Sequence, residues 1–355
     1  MTTDKEFCMC SYLMYRYVYD NNITFREGDV CATADIGFKR HPVKNRDDLY
    51  YALRDSVAKA YADGGAVLAL SGGMDSAILA RLVPEGTKAY TFRCIVPGVQ
   101  VTDESGMARK WADYNHLKHE VIDIYWEDIV KAADKCMRHK KSPIHSIEAQ
   151  ISIAAEKAVQ EGYSKFVLGE NADIIYGGMD GLLSKDWLYA EFIDRYSYVM
   201  PYKVLRNPSM PLDPYKEFEK DGHIDGHDFI NKYFRQEALG TYTNACSTAG
   251  IKFVGPYSLT YLDAPIDYAR IRAGDTKYII RELFKELYPE EDIPSKIPMP
   301  RPVNEWFAGW DGPKRKEFVP HCTESLNGDQ RWMVWCLERY LNILEGEDFH
   351  DKGSD

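Results

Sequence analysis

Apolar residues recur at helical spacing across residues 47–63, at Leu49, Leu53, Val57 and Tyr61, which predicts an amphipathic helix. Gly64-Gly65 ends it. Residues 66–70 are then apolar without a break, as in a strand buried on both faces. The glycine-bearing turn Ser71-Gly72-Gly73-Met74-Asp75-Ser76 follows, and residues 77–82 return to helical register before Pro84. The alternation continues: strand 88–96, helix 105–114, strand 120–124, helices 127–137 and 147–161, and strand 165–168. That strand runs into Gly169-Glu170-Asn171-Ala172-Asp173. Repeated strand–helix units predict an α/β fold with a doubly wound parallel sheet and right-handed crossovers. From about residue 185 the pattern is mostly helical, with segments 227–238, 276–287 and 330–344 the clearest.

Residues 1–46 read differently, as a short extension packed on the body: an aromatic patch over 12–19, a turn at Asp20-Asn21-Asn22, and a hairpin. The main unit runs over 47–345, and 346–355 reads as a loose polar tail. A chain of 355 residues, 45% hydrophobic and 28% charged, has material for a sizeable core. Its net charge of −11 gives no general attraction for phosphate backbones, so a nucleic-acid substrate is disfavoured. Eight scattered cysteines without a C-x-x-C point to reduced thiols and a cytoplasmic setting. His116 and His119 lack companions at zinc-site spacing. No signal peptide or membrane span is expected.

The turn after the first buried strand carries the candidate chemistry. Its position puts amides at a helix N-terminus, where an anion is favoured. Gly72 and Gly73 allow close backbone approach, and Ser71 and Ser76 can donate hydrogen bonds. A carboxylate at Asp75 would repel a phosphate unless a divalent cation lay between them. Mg²⁺ fits, because it is usually held by one or two carboxylates plus phosphate oxygens. The common nucleotide loop G-x-x-x-x-G-K-[ST] is absent.

The string Ser71-Gly72-Gly73-Met74-Asp75-Ser76 resembles the pyrophosphate loop of the adenine-nucleotide α-hydrolase superfamily. Leu168-Gly169-Glu170-Asn171-Ala172-Asp173 with Gly177-Gly178 is similar to the G-E-G-x-D-E-x-x-G-G stretch of the asparagine synthetase carboxy-terminal domain. Lys277-Tyr278-Ile279-Ile280-Arg281 and the later Lys296 look like that family's late basic elements. These blocks span 66–306, about two-thirds of the chain, in the family's order.

The resemblance implies a carboxylate-adenylating ligase that uses ATP and Mg²⁺, releases pyrophosphate and passes the acyl group to ammonia or an amine. It implies that Ser71, Gly73, Asp75 and Ser76, with Gly72 and Gly169, hold the phosphates. Asp75 and Asp173 would share the metal. Backbone near Leu70 and the strand end at Phe92 would contact adenosine. Glu170 would stand near the attacking amine, Lys296 would stabilise acyl-adenylate charge, and Lys277 would lie on the phosphate side. Glu170 as a structural acid and Lys296 as a plain loop lysine remain open readings.

The pattern departs from the family in three places. Position 2 is Thr rather than the thiol nucleophile of a glutaminase half, and about 65 residues precede the loop. The expected nitrogen source is therefore free ammonia, a separate glutaminase or an amine on the substrate. Asn171 stands where the family has Gly, and Ile174 where it has Glu. The isoleucine resembles the β-lactam synthetase branch, whereas Glu170 matches the asparagine synthetase branch. A sugar-acid or natural-product ligase is an equal expectation. A tRNA- or nucleobase-modifying enzyme and a silent nucleotide-binding protein are the alternatives from other classes.

Overall fold

The computed structural model describes residues 1–30, 37–295, 297 and 299–346. Its centre is a five-stranded parallel sheet of β1 (Ala66–Ala69), β2 (Lys88–Cys94), β3 (Lys118–Ile124), β4 (Lys165–Val167) and β5 (Lys252–Val254). The spatial order is β5-β4-β1-β2-β3. Leu68 lies opposite Ala89 on one side and Val167 on the other, and Phe166 opposite Phe253. The longer helices are α1 (Lys5–Tyr15), α2 (Arg46–Tyr61), α3 (Met74–Leu82), α4 (Ser105–Tyr114), α5 (Trp126–Lys140), α6 (Ser146–Gln160), α7 (Arg235–Ala249), α8 (Tyr278–Leu287) and α9 (Gly328–Leu344).

Alternation along the strands divides the core. Ala66, Leu68 and Val167 face α2, α3, α4 and α8, where Leu53, Ile78, Trp111 and Phe284 close the packing. Val67, Tyr90 and Phe166 face α6 and α7, meeting Ile151, Ala155 and Ala245. Helices cover both faces, so strands with apolar residues on both sides are satisfied. The chain reverses direction across the sheet between β1 and β4. A crevice outside the carboxyl ends of these strands is where such sheets bind ligands.

From about 185 the chain is mostly helical, and Lys252–Val254 adds the edge strand β5 beside β4. The N-terminal segment is not the expected hairpin. It forms α1, capped by the Asp4 side chain on the Phe7 amide at 2.9 Å, and Thr2–Thr3 pairs in parallel with Ile23–Thr24. Residues 8–15 are all buried, and α1 shares a core with α5 and α9 through Leu13, Met137 and Leu337. The tail beyond Gly346 lies outside the described residues, as does Lys296. Among the described residues no helix is long and apolar enough to cross a membrane.

Candidate active site

The turn between β1 and α3 is tied by its own side chains. Ser76 Oγ accepts from the Ser71 amide at 3.1 Å and lies 2.8 Å from Ser71 Oγ. Ser71 Oγ in turn accepts from the Gly73 amide at 3.2 Å. The first-turn amides of α3 have no upstream carbonyl within the helix to bond, and their residues line the crevice. Gly72 faces the other way. Its amide donates to Glu104 at 2.9 Å and its carbonyl accepts from Trp111 Nε1 at 3.0 Å. A Cβ there would press on Met107 at 3.1 Å. Gly72 thus anchors the turn on α4 and stands outside the crevice lining. Burial pushes the Glu104 carboxyl above its ordinary value.

The crevice encloses about 590 Å³. Leu70, Ser71, Gly73, Asp75, Ser76, Phe92, Gly169, Glu170, Asp173 and Lys277, all singled out by sequence, line it. Lys277 stands where the two strand ends meet. Its Nζ donates to Asp75 Oδ2 at 2.7 Å and lies 3.0 Å from Asp173 Oδ1. Asp75 and Asp173 are therefore neighbours, separated by one ammonium. Lys277 is 5% exposed, and burial opposes its charge, yet the two carboxylates more than offset this and raise its pKa. It adopts a left-handed backbone, φ 51°, at the start of α8. Gly178 makes the arrangement possible, because a Cβ there would fall 2.3 Å from Asp173 Oδ1 and 2.8 Å from Lys277 Cδ.

Glu170 sits half-buried at the end of β4. Burial pushes its carboxyl up to about 7, with Asp173 and Glu237 adding to the rise and bonds from the Tyr242 hydroxyl and the Asn171 backbone opposing it. A carboxyl poised near neutrality suits proton transfer. The departures from the family pattern have local explanations. Asn171 holds φ 72°, the left-handed conformation that glycine adopts freely and asparagine tolerates, and its Nδ2 donates to Ser258 Oγ at 2.8 Å. Ile174 is buried in an aromatic cluster with Phe192 and Phe229, so its side chain does not reach the crevice.

Residues absent from the sequence-based site also stand here. Tyr242 and Thr276 line the crevice, and Glu104 lines it while holding the loop. None belongs to a motif, and Tyr242 comes from a helix that sequence spacing ends too early. Among the described residues no group of three or more His, Cys, Asp or Glu forms a metal cage. Two carboxylates beside a turn of pyrophosphate-loop type still fit Mg²⁺, which needs only one or two when nucleotide oxygens complete its shell.

A doubly wound sheet with a pyrophosphate-type turn and paired aspartates at its switch point defines the adenine nucleotide α-hydrolase-like class. The asparagine synthase family model matches residues 48–239, more than half of the chain, and the chain belongs to that family. It is accordingly an ATP-using enzyme of the adenylating kind. No curated protein matches the chain. The solved structure of NMN synthetase from Francisella tularensis is similar at 13% identity, covering 72% of this chain and 99% of that one, with a TM-score of 0.28. A predicted subunit of tRNA methyltransferase from Methanocaldococcus jannaschii DSM is similar at 15% identity over 65% of this chain and 98% of its own, with a TM-score of 0.24. Likenesses this low carry no argument about the reaction.

Proposed function

We propose that the protein is an AMP- and pyrophosphate-forming carbon–nitrogen ligase of asparagine synthetase type. It activates a small-molecule carboxylate as an acyl-adenylate and transfers the acyl group to ammonia or an amine. The observation that carries this reading is the Asp75–Lys277–Asp173 constellation at the phosphate turn, with Glu170 on the same crevice wall.

Ser71, Gly73 and Ser76 bind the terminal phosphates through hydroxyls and the α3 amides, and that grip orients the α-phosphate for in-line attack. Lys277 supplies positive charge where charge builds up as pyrophosphate leaves. Asp75 and Asp173 would hold Mg²⁺, which neutralises the triphosphate and eases departure of pyrophosphate. Glu170 takes a proton on its carboxylate oxygen from the attacking amine, after which the amide forms and AMP leaves. Phe92 and the backbone at Leu70 receive adenosine. The buried cysteines, none of them in a disulfide among the described residues, support a cytoplasmic setting.

The test is pyrophosphate release across a panel of carboxylic acids with ATP, magnesium and ammonium. Asp75→Asn should fold as the wild type and lose pyrophosphate release by about 100-fold or more. Unchanged turnover in that variant would remove the reading, as would an absence of acid-dependent release from the wild type across the panel.

A further inference from the structure

A buried guanidinium with no counter-ion among the described residues lies outside the reacting constellation. Arg235 follows the π-helical turn Ile230–Phe234 within one continuous helix and is 2% exposed. Its Nε and Nη2 have no hydrogen-bond partner. These two nitrogens form one edge of the guanidinium, and their parallel N–H bonds match two oxygens of a carboxylate or phosphate. The charged group felt most strongly there is a second cation, the half-buried Arg40. Arg40 lies 5.3 Å from the centre of the Tyr261 ring, and the groups that act on it are Tyr261 and Tyr176. The Phe38 ring stands 5.5 Å from Arg235. Among the described residues no carboxylate pairs with either arginine.

Other buried or half-buried cations are treated differently. Arg16 meets Glu237 at 3.0 Å, Lys140 meets Glu148 at 2.7 Å, and Lys277 has two aspartates. Acids are not scarce in a chain with 55 of them. An interior charge with no opposite charge is strongly destabilising, and a like charge beside it adds to the cost. Burial and Arg40 pull the Arg235 pKa down to about 10, which still leaves it charged at neutral pH. With no carboxylate partner among the described residues, a cation kept in that state suits an added anion.

Its place in the fold relates it to the crevice. Arg235 and Tyr242 are seven residues apart on α7, so their side chains leave the same helix face two turns from each other. Tyr176, beside Arg40, closes the turn that begins at Ala172, with its amide bonded to the Ala172 carbonyl at 3.1 Å. Neither arginine lines the crevice; Arg235 stands two turns along α7 from Tyr242, which does.

We propose that Arg235 and Arg40 form an oxyanion-binding site in which the Nε–Nη2 edge of Arg235 takes a carboxylate or phosphate group side-on and Arg40 supplies a second charge. The oxyanion is either a second acidic group of the substrate or a free anion. The site stands independently of the ligase reading, because binding is measured without ATP or turnover.

The experiment follows thermal unfolding of the full chain in sodium acetate, sodium succinate or inorganic phosphate, against sodium chloride at equal ionic strength. The wild type should rise by about 2 °C or more at ten times the dissociation constant. Arg235→Met should unfold no earlier than the wild type without oxyanion and lose the response. Arg235→Lys, which keeps charge without the fork, should lose most of it, and Arg40→Gln should weaken it about tenfold. An absent response in the wild type, or an undiminished one in Arg235→Met, overturns the site. If Arg235→Met does not fold, an undiminished response in both other variants does the same. Pyrophosphate release then separates the sources. A KM raised about tenfold for diacids but not monoacids in Arg40→Gln assigns the anion to the substrate, and an unchanged KM assigns it to a free ligand.

Discussion

At the scale of single residues, Glu170 holds the sharpest expectation. Its carboxyl stands near 7 because burial disfavours its charge. If it accepts the amine proton, turnover must rise with pH through about 7 and level off above, and Glu170→Gln must remove that inflection. The stability sign runs opposite. A carboxyl raised in the folded state contributes stability that is present below its ordinary value and fades as pH climbs through about 7. Glu170→Gln should therefore unfold at a higher temperature than wild type at about pH 8 and show less advantage at about pH 5. A pH–rate profile paired with melting curves at both pH values checks this, and a variant that retains the inflection excludes Glu170 as the base. Asp75, Asp173 and Glu170 were legible in sequence because each sits in a short string with a distinctive order. Tyr242, Glu104 and Arg235 are isolated in sequence, and only folding gives them neighbours.

At the scale of elements, the β1–turn–α3 unit was readable from an unbroken apolar run, two glycines and a helical register. The strand Lys252–Val254 was not read from the sequence, where the surrounding pattern is mostly helical. Helix α1 was missed for a different reason. Residues 8–15 are buried on every side, so no polar face marks a helical repeat. The phosphate turn also depends on an element that shares no motif with it. α4 supplies Trp111 to the carbonyl of Gly72, while Glu104, its capping residue, holds the amide. Glu104→Ala leaves a buried N–H without its acceptor, a loss of about 1–3 kcal/mol. The expected result is a lower melting temperature together with a raised KM for ATP. An unchanged KM would mean that the turn keeps its shape without α4.

At the scale of the whole molecule, the N-terminal segment is joined to the catalytic body by charge as well as by packing. Arg16 ends α1 with φ 65°, lies 4.0 Å from the Tyr198 ring centre, bonds His145 at 2.8 Å and pairs with Glu237 of α7. Glu237 is 3% exposed and its charge acts on Glu170. Arg16→Ala leaves that buried acid without its ion-pair partner, at a cost of up to about 3–5 kcal/mol. Calorimetry should show a large fall in melting temperature, and a shift of the Glu170 inflection should accompany it. A variant as stable as wild type would make the pair ornamental. The lysine wedged between the two strand-end aspartates bears on the order in which ligands assemble. A tethered cation competes at a high effective concentration that dilution does not lower. Free divalent ions must evict it unaided, whereas nucleotide phosphates give the ammonium a new partner and release the carboxylates. Titration with magnesium chloride alone should leave the melting temperature where chloride at equal ionic strength puts it, and the same titration with ATP should raise it. On the proposed reading, the resting protein holds a lysine where the metal would sit, and nucleotide is what would draw it away.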